Sequence, residues 1–335
     1  DSRNKTLRPA LAGLVRYPKC RSVEAVHLGR LRYDVPMPEL PEVETVRRGL
    51  APHLEGREIT RVQLNRKDLR FPFPDGFAER LQGAQITSFT RRAKYLMAGL
   101  SKPDQPTFYW LSHLGMTGRY RLYPSSGPGC DVAPVMEPGQ YAHNVSPETA
   151  EKHVHVVLTL DDGSVLTYAD PRRFGFMDVV DGAPDNTPFL AHLGPEPLSN
   201  DFHAAHLLKA LATRKSPIKN ALLDQKIVSG LGNIYVCEAL FMAGISPKRL
   251  ACNVGRARLE RLVPAIRQIL QAAIDAGGST LRDFAASDGE LGYFQHQFLV
   301  YDRANQPCSS EGCHASVKRI VQSGRSSFFC SQCQK

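Results

Sequence analysis

Four cysteines near the end of this 335-residue chain restrict its fold more than any other feature. They stand in two pairs in the segment CSSEGCHASVKRIVQSGRSSFFCSQC, with four residues inside the first pair, two inside the second and sixteen between the pairs. A short hairpin can carry one pair at its open end while a tight turn supplies the other, so that four thiolates close a tetrahedral zinc site. Because such a site has no open coordination position, we expect one structural Zn²⁺ held by Cys308, Cys313, Cys330 and Cys333.

Two disulfides are the alternative explanation of this quartet, and the rest of the sequence argues against them. The chain shows no secretory signal with a continuous apolar segment, and its other cysteines stand alone at Cys20, Cys130, Cys237 and Cys252. His314 follows the second cysteine and could replace one thiolate, although four cysteines already suffice. The pattern therefore favours a metal site over a secreted, disulfide-bonded domain.

Positive charge is concentrated toward the end of the chain. The formal net charge is +9, and residues 214–335 carry 16 Lys and Arg against 9 Asp and Glu, a local excess of 7. A basic segment of this kind suits a polyanionic partner such as nucleic acid. No stretch reaches the roughly 18 uninterrupted apolar residues of a membrane-spanning helix, so we expect no membrane span.

The residue pattern changes from strand-like to helical near residue 200. The earlier runs REITRVQL, AQITSFTRRAKYLMAGL, TFYWLSHLGM, HVHVVLTL and SVLTYAD predict strands, and residues 124–150 are rich in Pro, Gly and Ser, as is typical of a long surface loop. The later runs DFHAAHLLKALA, SPIKNALLD, NIYVCEALFMAG and GRARLERLVPAIRQILQAAIDAG have helical spacing. The sequence thus predicts a β-rich half, a helical segment and a metal hairpin.

The segment MPELPEVETVRRGL predicts a helix that begins just after a Met-Pro-Glu sequence. Its apolar residues recur at helical spacing, Pro41 suits a first turn, and acidic residues lie near the positive end of the helix dipole. Pro38 and Glu39 therefore lie immediately before the helix.

Residues 1–36 are basic and poor in acidic residues, without a regular amphipathic pattern. An organellar transit peptide, a disordered arm and upstream translation that is absent from the mature chain are the alternatives. We favour the last, with Met37 as the working start.

Eight segments occur in the order found in one enzyme family: MPELPEVETVRRGL, RRAKYL, HLGMTGR, DPRRFG, HLGPEPL, IKNALLDQKIVSGLGNIYVCEALF, GYFQ and the cysteine hairpin with GRSSFFC. Residues 37–335 resemble formamidopyrimidine-DNA glycosylase, the bacterial enzyme that excises oxidised purines such as 8-oxoguanine. The resemblance implies an α+β protein with an N-terminal β-sandwich catalytic domain and a C-terminal helix-two-turns-helix domain with a four-cysteine zinc hairpin. The expected divisions are the extension 1–36, the sandwich 37–175, a linker 176–199, the DNA-binding domain 200–292 and the zinc finger 299–335.

The resemblance also assigns the opening Met-Pro-Glu a chemical role. If Met37 is removed, Pro38 presents a secondary amine, and α-amino groups titrate near 7.7–8.0, so that a useful fraction is unprotonated at neutral pH. In the family this amine attacks C1′ of the damaged nucleotide, expels the base and forms a Schiff base, after which β- and δ-elimination cleave the strand. Glu39 is implied as general acid, with Glu42 as a supporting candidate.

The remaining site residues are likewise implied by the resemblance. Lys94 would reach the site from a β-strand for proton transfer or phosphate contact, and Arg325 on the hairpin would bind the phosphate beside the lesion. Met116, Arg172 and Phe174 match the wedge that fills the space of the extruded nucleotide. Further DNA contacts are implied at His153, Arg214, Lys215, Lys219 and Asn233.

The expected partner is damaged double-stranded DNA, bound by a monomer. The expected location is the bacterial cytoplasm at the nucleoid, and an organelle is the alternative if residues 1–36 are a transit peptide. Two alternatives remain: an endonuclease VIII-type glycosylase acting on oxidised pyrimidines, and a DNA-binding protein without catalysis if residues 1–36 are retained.

Two departures from the family pattern affect local structure. Asp302 stands where glycine is common, and the first cysteine pair encloses four residues where many relatives have two.

Overall fold

The computed structural model describes residues 38–123, 125, 152–279 and 294–335. Two segments singled out in the sequence therefore lie wholly or mostly outside the described residues: the extension 1–36 with Met37, and the predicted loop 124–150. Residues 292–293, the first half of the segment GYFQ, also lie outside them.

The first half of the described chain is a β-sandwich flanked by a helix, α1 (Leu40–Leu54). Its strands are β1 (Ile59–Leu64), β2 (Gln85–Arg92), β3 (Tyr95–Ser101), β4 (Phe108–His113), β5 (Arg119–Tyr123), β6 (Val154–Leu160), β7 (Val165–Ala169) and β8 (Phe176–Asp181), with a short helix α2 (Phe77–Leu81) after β1. One sheet has the order β1-β6-β7-β5 and the other β2-β3-β4-β8, and all neighbouring strands are antiparallel.

The sandwich core forms because alternate residues of each strand face inward. Along β5 the buried residues Tyr120 and Leu122 alternate with more exposed ones, as expected for a two-residue period. Trp110 and Tyr168 complete the aromatic centre of the same core, which α1 covers with Val46 and Leu50. The predicted β-rich half is confirmed.

Two differences from the predicted strands matter for the site. The run 84–100 is not one strand but the hairpin β2–β3, and Lys94 lies in its two-residue turn rather than within a strand. Residues of β8, at the start of the segment predicted to be a linker, pair with β4, so the sheet extends beyond residue 175.

The second half is helical, as its periodicity predicted. It contains α3 (Ala204–Leu211), α4 (Ile218–Leu222), α5 (Asn233–Met242) and α6 (Arg256–Asp275), and α6 packs against α3 and α5. Helix α5 is buried on nearly all sides, in accord with its almost uninterrupted apolar sequence. The connection between α4 and α5 consists of tight turns, one of which is closed by the Ile227 amide donating to the Asp224 carbonyl at 2.9 Å.

The chain ends in the antiparallel hairpin β9 (Val317–Gln322) and β10 (Arg325–Cys330). Its inner face packs Phe328 against Cys237 and Phe241 of α5. The described helices include none that is both long enough and apolar enough to span a bilayer.

Candidate active site

Glu39 joins the start of the sandwich domain to the start of α5. It is 3% exposed, and its carboxylate accepts hydrogen bonds from the backbone N–H of Ile234 at 2.8 Å and, more weakly, of Tyr235 at 3.4 Å. These groups belong to the first turn of α5, where the helix dipole favours negative charge. Gly232 permits the approach, because a Cβ there would lie 2.2 Å from the Glu39 carboxyl carbon.

Burial raises the pKa of Glu39 from 4.5 to about 7. The nearby Lys94 ammonium opposes this rise, Glu42 adds to it, and the two backbone donors of α5 oppose it. A carboxyl with this pKa is protonated to a large extent at neutral pH, so it can donate a proton and take one back. Pro38, also buried, immediately precedes it.

Glu42 is saturated with hydrogen-bond donors from both halves of the protein. Its Oε2 accepts from the Glu39 backbone N–H at 2.9 Å, while Oε1 accepts from the N–H and hydroxyl of Ser279 at 2.9 and 2.8 Å and from the Tyr235 hydroxyl at 2.6 Å. Four donors fix the carboxylate in place, so its geometry is that of an anchor between α1 and the helical half.

Lys94 lies in the β2–β3 turn with only 8% of its surface exposed. Burial lowers the pKa of its ammonium; Glu39 opposes the effect and Arg325 reinforces it. Within the described part of the chain the ammonium has these charged neighbours but donates no hydrogen bond. A buried lysine without a fixed acceptor, beside a carboxyl with raised pKa, is a group available to a substrate.

Arg325 is exposed at the start of β10, and the residues beside it are tied to the helical half. The carbonyl of Ser326 accepts from the Asn233 side-chain amide at 3.1 Å and from the Lys219 ammonium at 2.7 Å. Lys219 also donates to the Ser327 hydroxyl at 2.7 Å. These bonds hold the tip of the hairpin against α4 and α5.

Lys219 and Asn233 therefore contact the hairpin directly. Lys219 is 0% exposed, and burial lowers the pKa of its ammonium. In this arrangement its charge is directed to the hairpin backbone and not to solvent, so its predicted contact with DNA stays a prediction.

The predicted wedge residues lie on two loops that contact each other. Gly115, with φ +64°, precedes Met116, and a Cβ at Gly115 would lie 2.3 Å from the backbone nitrogen of Gly175. This contact brings the β4–β5 turn against the β7–β8 loop. Phe174 is 44% exposed on that loop, and the Arg172 guanidinium lies 4.7 Å from its ring centroid. An exposed aromatic ring stacked by arginine is suited to contact an unpaired base.

Asp170 holds these two loops together from beneath. It is fully buried and accepts from the Thr117 hydroxyl and from the Gly175 backbone N–H, the latter at 2.8 Å. The Thr117 hydroxyl oxygen in turn accepts from the Arg172 backbone N–H at 3.1 Å. Half-buried His153 belongs to the same region, since its carbonyl accepts from the Asp170 N–H at 3.0 Å.

Arg214 and Lys215 are exposed in the connection between α3 and α4. Arg214 pairs with Asp224 at 3.1 Å, and Asp224 begins the turns that lead to α5. Arg214 therefore lies close to the turns that connect α4 and α5. The DNA contacts predicted for Arg214 and Lys215 stay predictions.

His113 is a site residue that the sequence reasoning did not single out, although it lies in the quoted segment HLGMTGR. Its ring stacks on Phe176 at a centroid distance of 5.6 Å, and its Nδ1 accepts from the Gly115 N–H at 3.0 Å. Burial, together with the nearby Lys94, lowers the pKa of His113 to about 3. The imidazole is thus neutral with its proton on Nε2, a hydrogen-bond donor close to Lys94.

The four cysteines of the quartet come together at the base of the hairpin. All four sulfurs lie within 4.8 Å of one another, with 3.8 Å between Cys308 and Cys333 and 3.7 Å between Cys313 and Cys330. Ligands about 2.3 Å from a central Zn²⁺ at tetrahedral angles would be about 3.8 Å apart. The sulfurs are too far apart for disulfides, at about 2.05 Å, and fit a tetrahedral metal ion.

Both departures from the family pattern are accommodated. Gly312, with φ +69°, turns the longer chain between Cys308 and Cys313 so that both sulfurs reach the cluster. Asp302 has φ +57°, a left-handed backbone conformation that glycine adopts at a lower conformational free-energy cost than any other residue.

Comparisons with known proteins found matches to both halves of the chain. Residues 37–177 match the family model of the formamidopyrimidine-DNA glycosylase N-terminal domain, and residues 193–285 match that of its H2TH domain. Formamidopyrimidine-DNA glycosylases of Ruegeria pomeroyi and Caulobacter vibrioides are 55% and 51% identical over 300 and 299 residues, covering 89% of this chain and 100% of each relative.

Solved structures are similar over the same share of the chain. A complex between Lactococcus lactis Fpg and DNA containing an abasic site has a TM-score of 0.73 and 33% identity, covering 89% of this chain and 100% of that chain. The MutM (Fpg) protein of Thermus thermophilus has a TM-score of 0.71 and 35% identity, covering 89% and 98%.

Proposed function

Because this chain belongs to the formamidopyrimidine-DNA glycosylase family, we propose that it excises oxidised purines, 8-oxoguanine and formamidopyrimidines, from duplex DNA and cleaves the strand at the resulting abasic site. It is a DNA glycosylase of base excision repair, and AP lyase activity is the general property of its family. One observation carries the proposal for its site: a buried carboxyl with a pKa of about 7 lies beside a buried lysine, immediately after Pro38.

Pro38 acts as the nucleophile in this proposal, which requires that Met37 is removed. The family match begins at residue 37, which supports a working start there. The free amine attacks C1′ of the nucleotide, the bond between C1′ and the base breaks with its electron pair going to the base, and the base leaves with the proton that the amine nitrogen gives up. Breaking the bond between C1′ and the ring oxygen then gives the iminium, and the ring oxygen takes a proton.

Glu39 supplies that proton, since its raised pKa keeps much of the carboxyl protonated at neutral pH. The iminium acidifies the C2′ proton, whose loss breaks the C3′–O bond, and a second elimination breaks the C5′–O bond. Lys94 serves proton transfer or phosphate contact. The neutral His113 can donate from Nε2 to a phosphate oxygen without adding charge.

The remaining residues hold the DNA. Met116 and Phe174 fill the space left by the extruded nucleotide, and Arg172 pairs with the orphaned base. The phosphates on both sides are bound by cations and polar groups, for which we propose His153, Arg214, Lys215, Asn233 and Arg325. Lys219 acts through the hairpin that presents Arg325, because its ammonium is bonded to Ser326 and Ser327.

Zinc is the metal that we propose for the cysteine quartet. Four thiolates at tetrahedral spacing suit Zn²⁺, and a site closed by four protein ligands is structural. The metal would fix the base of the hairpin, and the residues of the hairpin itself would bind DNA.

The experiment that tests the proposal is borohydride trapping on the mature protein. Mass spectrometry should find Pro38 at the N-terminus of the active form. A reducible covalent adduct should form faster with duplex containing 8-oxoguanine than with duplex containing thymine glycol. Pro38→Gly should keep DNA binding and strongly slow base release, and a variant that retains one extra residue before Pro38 is the matched control for a blocked amine. Preferred trapping on thymine glycol would support the pyrimidine alternative, and no adduct with either duplex would contradict catalysis.

A further inference from the structure

We propose that Glu196 is a positioning residue for Lys94: its carboxylate fixes the β2–β3 turn that presents the lysine to the site. The inference rests on the proposed role of Lys94 in catalysis. Glu196 lies in the segment HLGPEPL, about a hundred residues after the turn, and none of the roles assigned above uses it.

The turn itself is in an unfavourable backbone conformation. Only Ala93 and Lys94 connect β2 to β3, and Ala93 has φ +54°. Two-residue hairpin loops normally place Gly, Asn or Asp at positive φ, and a residue with a Cβ there costs about 1 kcal/mol or more. Ala93 cannot hydrogen-bond through its side chain to offset this cost, so another part of the protein must hold the turn.

Glu196 holds the turn through three consecutive residues. Its Oε1 accepts from the Ala93 backbone N–H at 2.5 Å and from Arg92 at 3.0 Å, and its Oε2 accepts from Arg91 at 3.0 Å. The side chains of Arg91, Arg92 and Glu196 are 11%, 22% and 20% exposed, so water and salt screen these ion pairs only in part. Each bond acts on the chain immediately before Lys94.

The same cluster fixes the turn relative to the segment that seats Glu39. Arg92 donates to the Gly194 carbonyl at 2.8 Å and to the Ser229 hydroxyl at 2.7 Å. The next residue, Gly230, accepts from the Leu40 N–H at 3.1 Å. Lys94 and Glu39 are therefore positioned by one connected set of bonds, and displacing the turn changes the distance between them.

A purely structural role would have a different signature. If Glu196 only fastened the linker to the sandwich, its loss would lower stability and leave the chemistry of the folded protein intact. If it positions Lys94, its loss must slow the chemical step in protein that is folded and still binds DNA. Misplacing a catalytic group by about 1 Å can cost roughly a hundredfold in rate.

The test is single-turnover excision of 8-oxoguanine by Glu196→Gln, which keeps the side-chain size and removes the charge. We expect the rate of base release to fall at least about tenfold while the Kd for DNA changes less than about threefold. Asp185→Asn is the matched control. Asp185 lies 3.9 Å from Arg92 but does not contact the turn, so this variant should react at the wild-type rate.

Two further variants separate positioning from other roles. Ala93→Gly adopts the positive φ without cost, so adding it to Glu196→Gln should recover part of the lost rate. Adding Lys94→Ala to Glu196→Gln should be no slower than Lys94→Ala alone, because a misplaced lysine and a missing lysine fail at the same step. The proposal would be overturned if the rate losses of Glu196→Gln and Lys94→Ala added up in the double variant and Ala93→Gly restored none of the rate of Glu196→Gln.

The same measurements distinguish failure of this inference from failure of the proposed function. If Lys94→Ala were slow and Glu196→Gln reacted at the wild-type rate, the positioning role of Glu196 would be overturned and the role of Lys94 would stand. A wild-type rate in Lys94→Ala would overturn the role of Lys94, and this proposal with it.

Discussion

Replacing Gly232 by alanine should disable the site through a single added methyl group. Gly232 precedes α5 with φ −133° and ψ −165°, an extended conformation that any residue adopts, so the substitution adds no backbone strain. The new Cβ would lie 2.2 Å from the Glu39 carboxyl carbon and 2.5 Å from Oε1, whereas ordinary contact begins at 3.4 Å. The carboxylate would have to move by about 1 Å or more.

That displacement has a cost in stability and a cost in rate. Forcing a methyl group into a packed site destabilises by about 1–3 kcal/mol, which for a protein of this size lowers the Tm by roughly 2 °C per kcal/mol. Moving Glu39 also weakens its bonds to the first turn of α5. If Glu39 is the proton donor, the rate of base release should fall by roughly a hundredfold.

Gly255→Ala is the matched control for this prediction. Gly255 also precedes a helix, has φ −71°, and has no atom within 4 Å of its Cβ position. Both variants share the cost of alanine at a helix N-cap, roughly 0.5–1 kcal/mol, so their difference reports the contact with Glu39. The assays are urea unfolding and single-turnover excision. If Gly232→Ala matched Gly255→Ala in both, the close approach of Glu39 would be refuted.

Three other predictions concern charge and metal. The folded-state pKa of Glu39 is raised from 4.5 to about 7, so the stability that this group contributes is fully present below pH 4.5 and is lost as the pH rises through 7. Urea melts should therefore show Glu39→Gln becoming more stable relative to wild type between about pH 5 and 8. A stability difference that does not change with pH would contradict the raised pKa. Cys330→Ser should release the metal, measured by elemental analysis, and should weaken DNA binding, whereas Cys252→Ser, outside the quartet, should do neither. If metal-free Cys330→Ser still bound DNA tightly, a structural role of the metal would be excluded. Lys215→Ala should reduce the slope of log Kd against log salt by about 1, compared with Arg61→Ala on the sandwich, and equal slopes would argue against a phosphate contact.

Local signals in the sequence were sufficient for the helices and the metal hairpin. Helix α1 begins where Pro41 and the acidic residues around it predicted, since these preferences act within one turn. The cysteine spacing predicted the hairpin because four ligands to one ion leave few conformations. Helical periodicity beyond residue 200 was equally reliable, because each helix buries one face or is buried throughout.

The turn at Lys94 and the burial of Lys219 could not be predicted in this way. The run RRAKYL contains no Gly, Pro or Asn to mark a turn, because the turn is held by Glu196 from a distant part of the chain. Lys219 is buried because Ser326 and Ser327 accept from it, a contact that exists only after the hairpin docks. The protonation state of His113 likewise depends on tertiary structure, because burial in the folded protein is the main cause of its lowered pKa and the nearby Lys94 adds to it.

The sharing of Glu42 between the two halves has a consequence for folding cooperativity. Its carboxylate and that of Glu39 lie on the sandwich side, but their donors Ser279, Ile234 and Tyr235 belong to the helical half. A sandwich separated from the helical half would leave both carboxyl groups without those hydrogen-bond donors. The two halves should consequently melt as one calorimetric unit, and the enzyme could not be divided into independently stable modules even though its architecture looks modular.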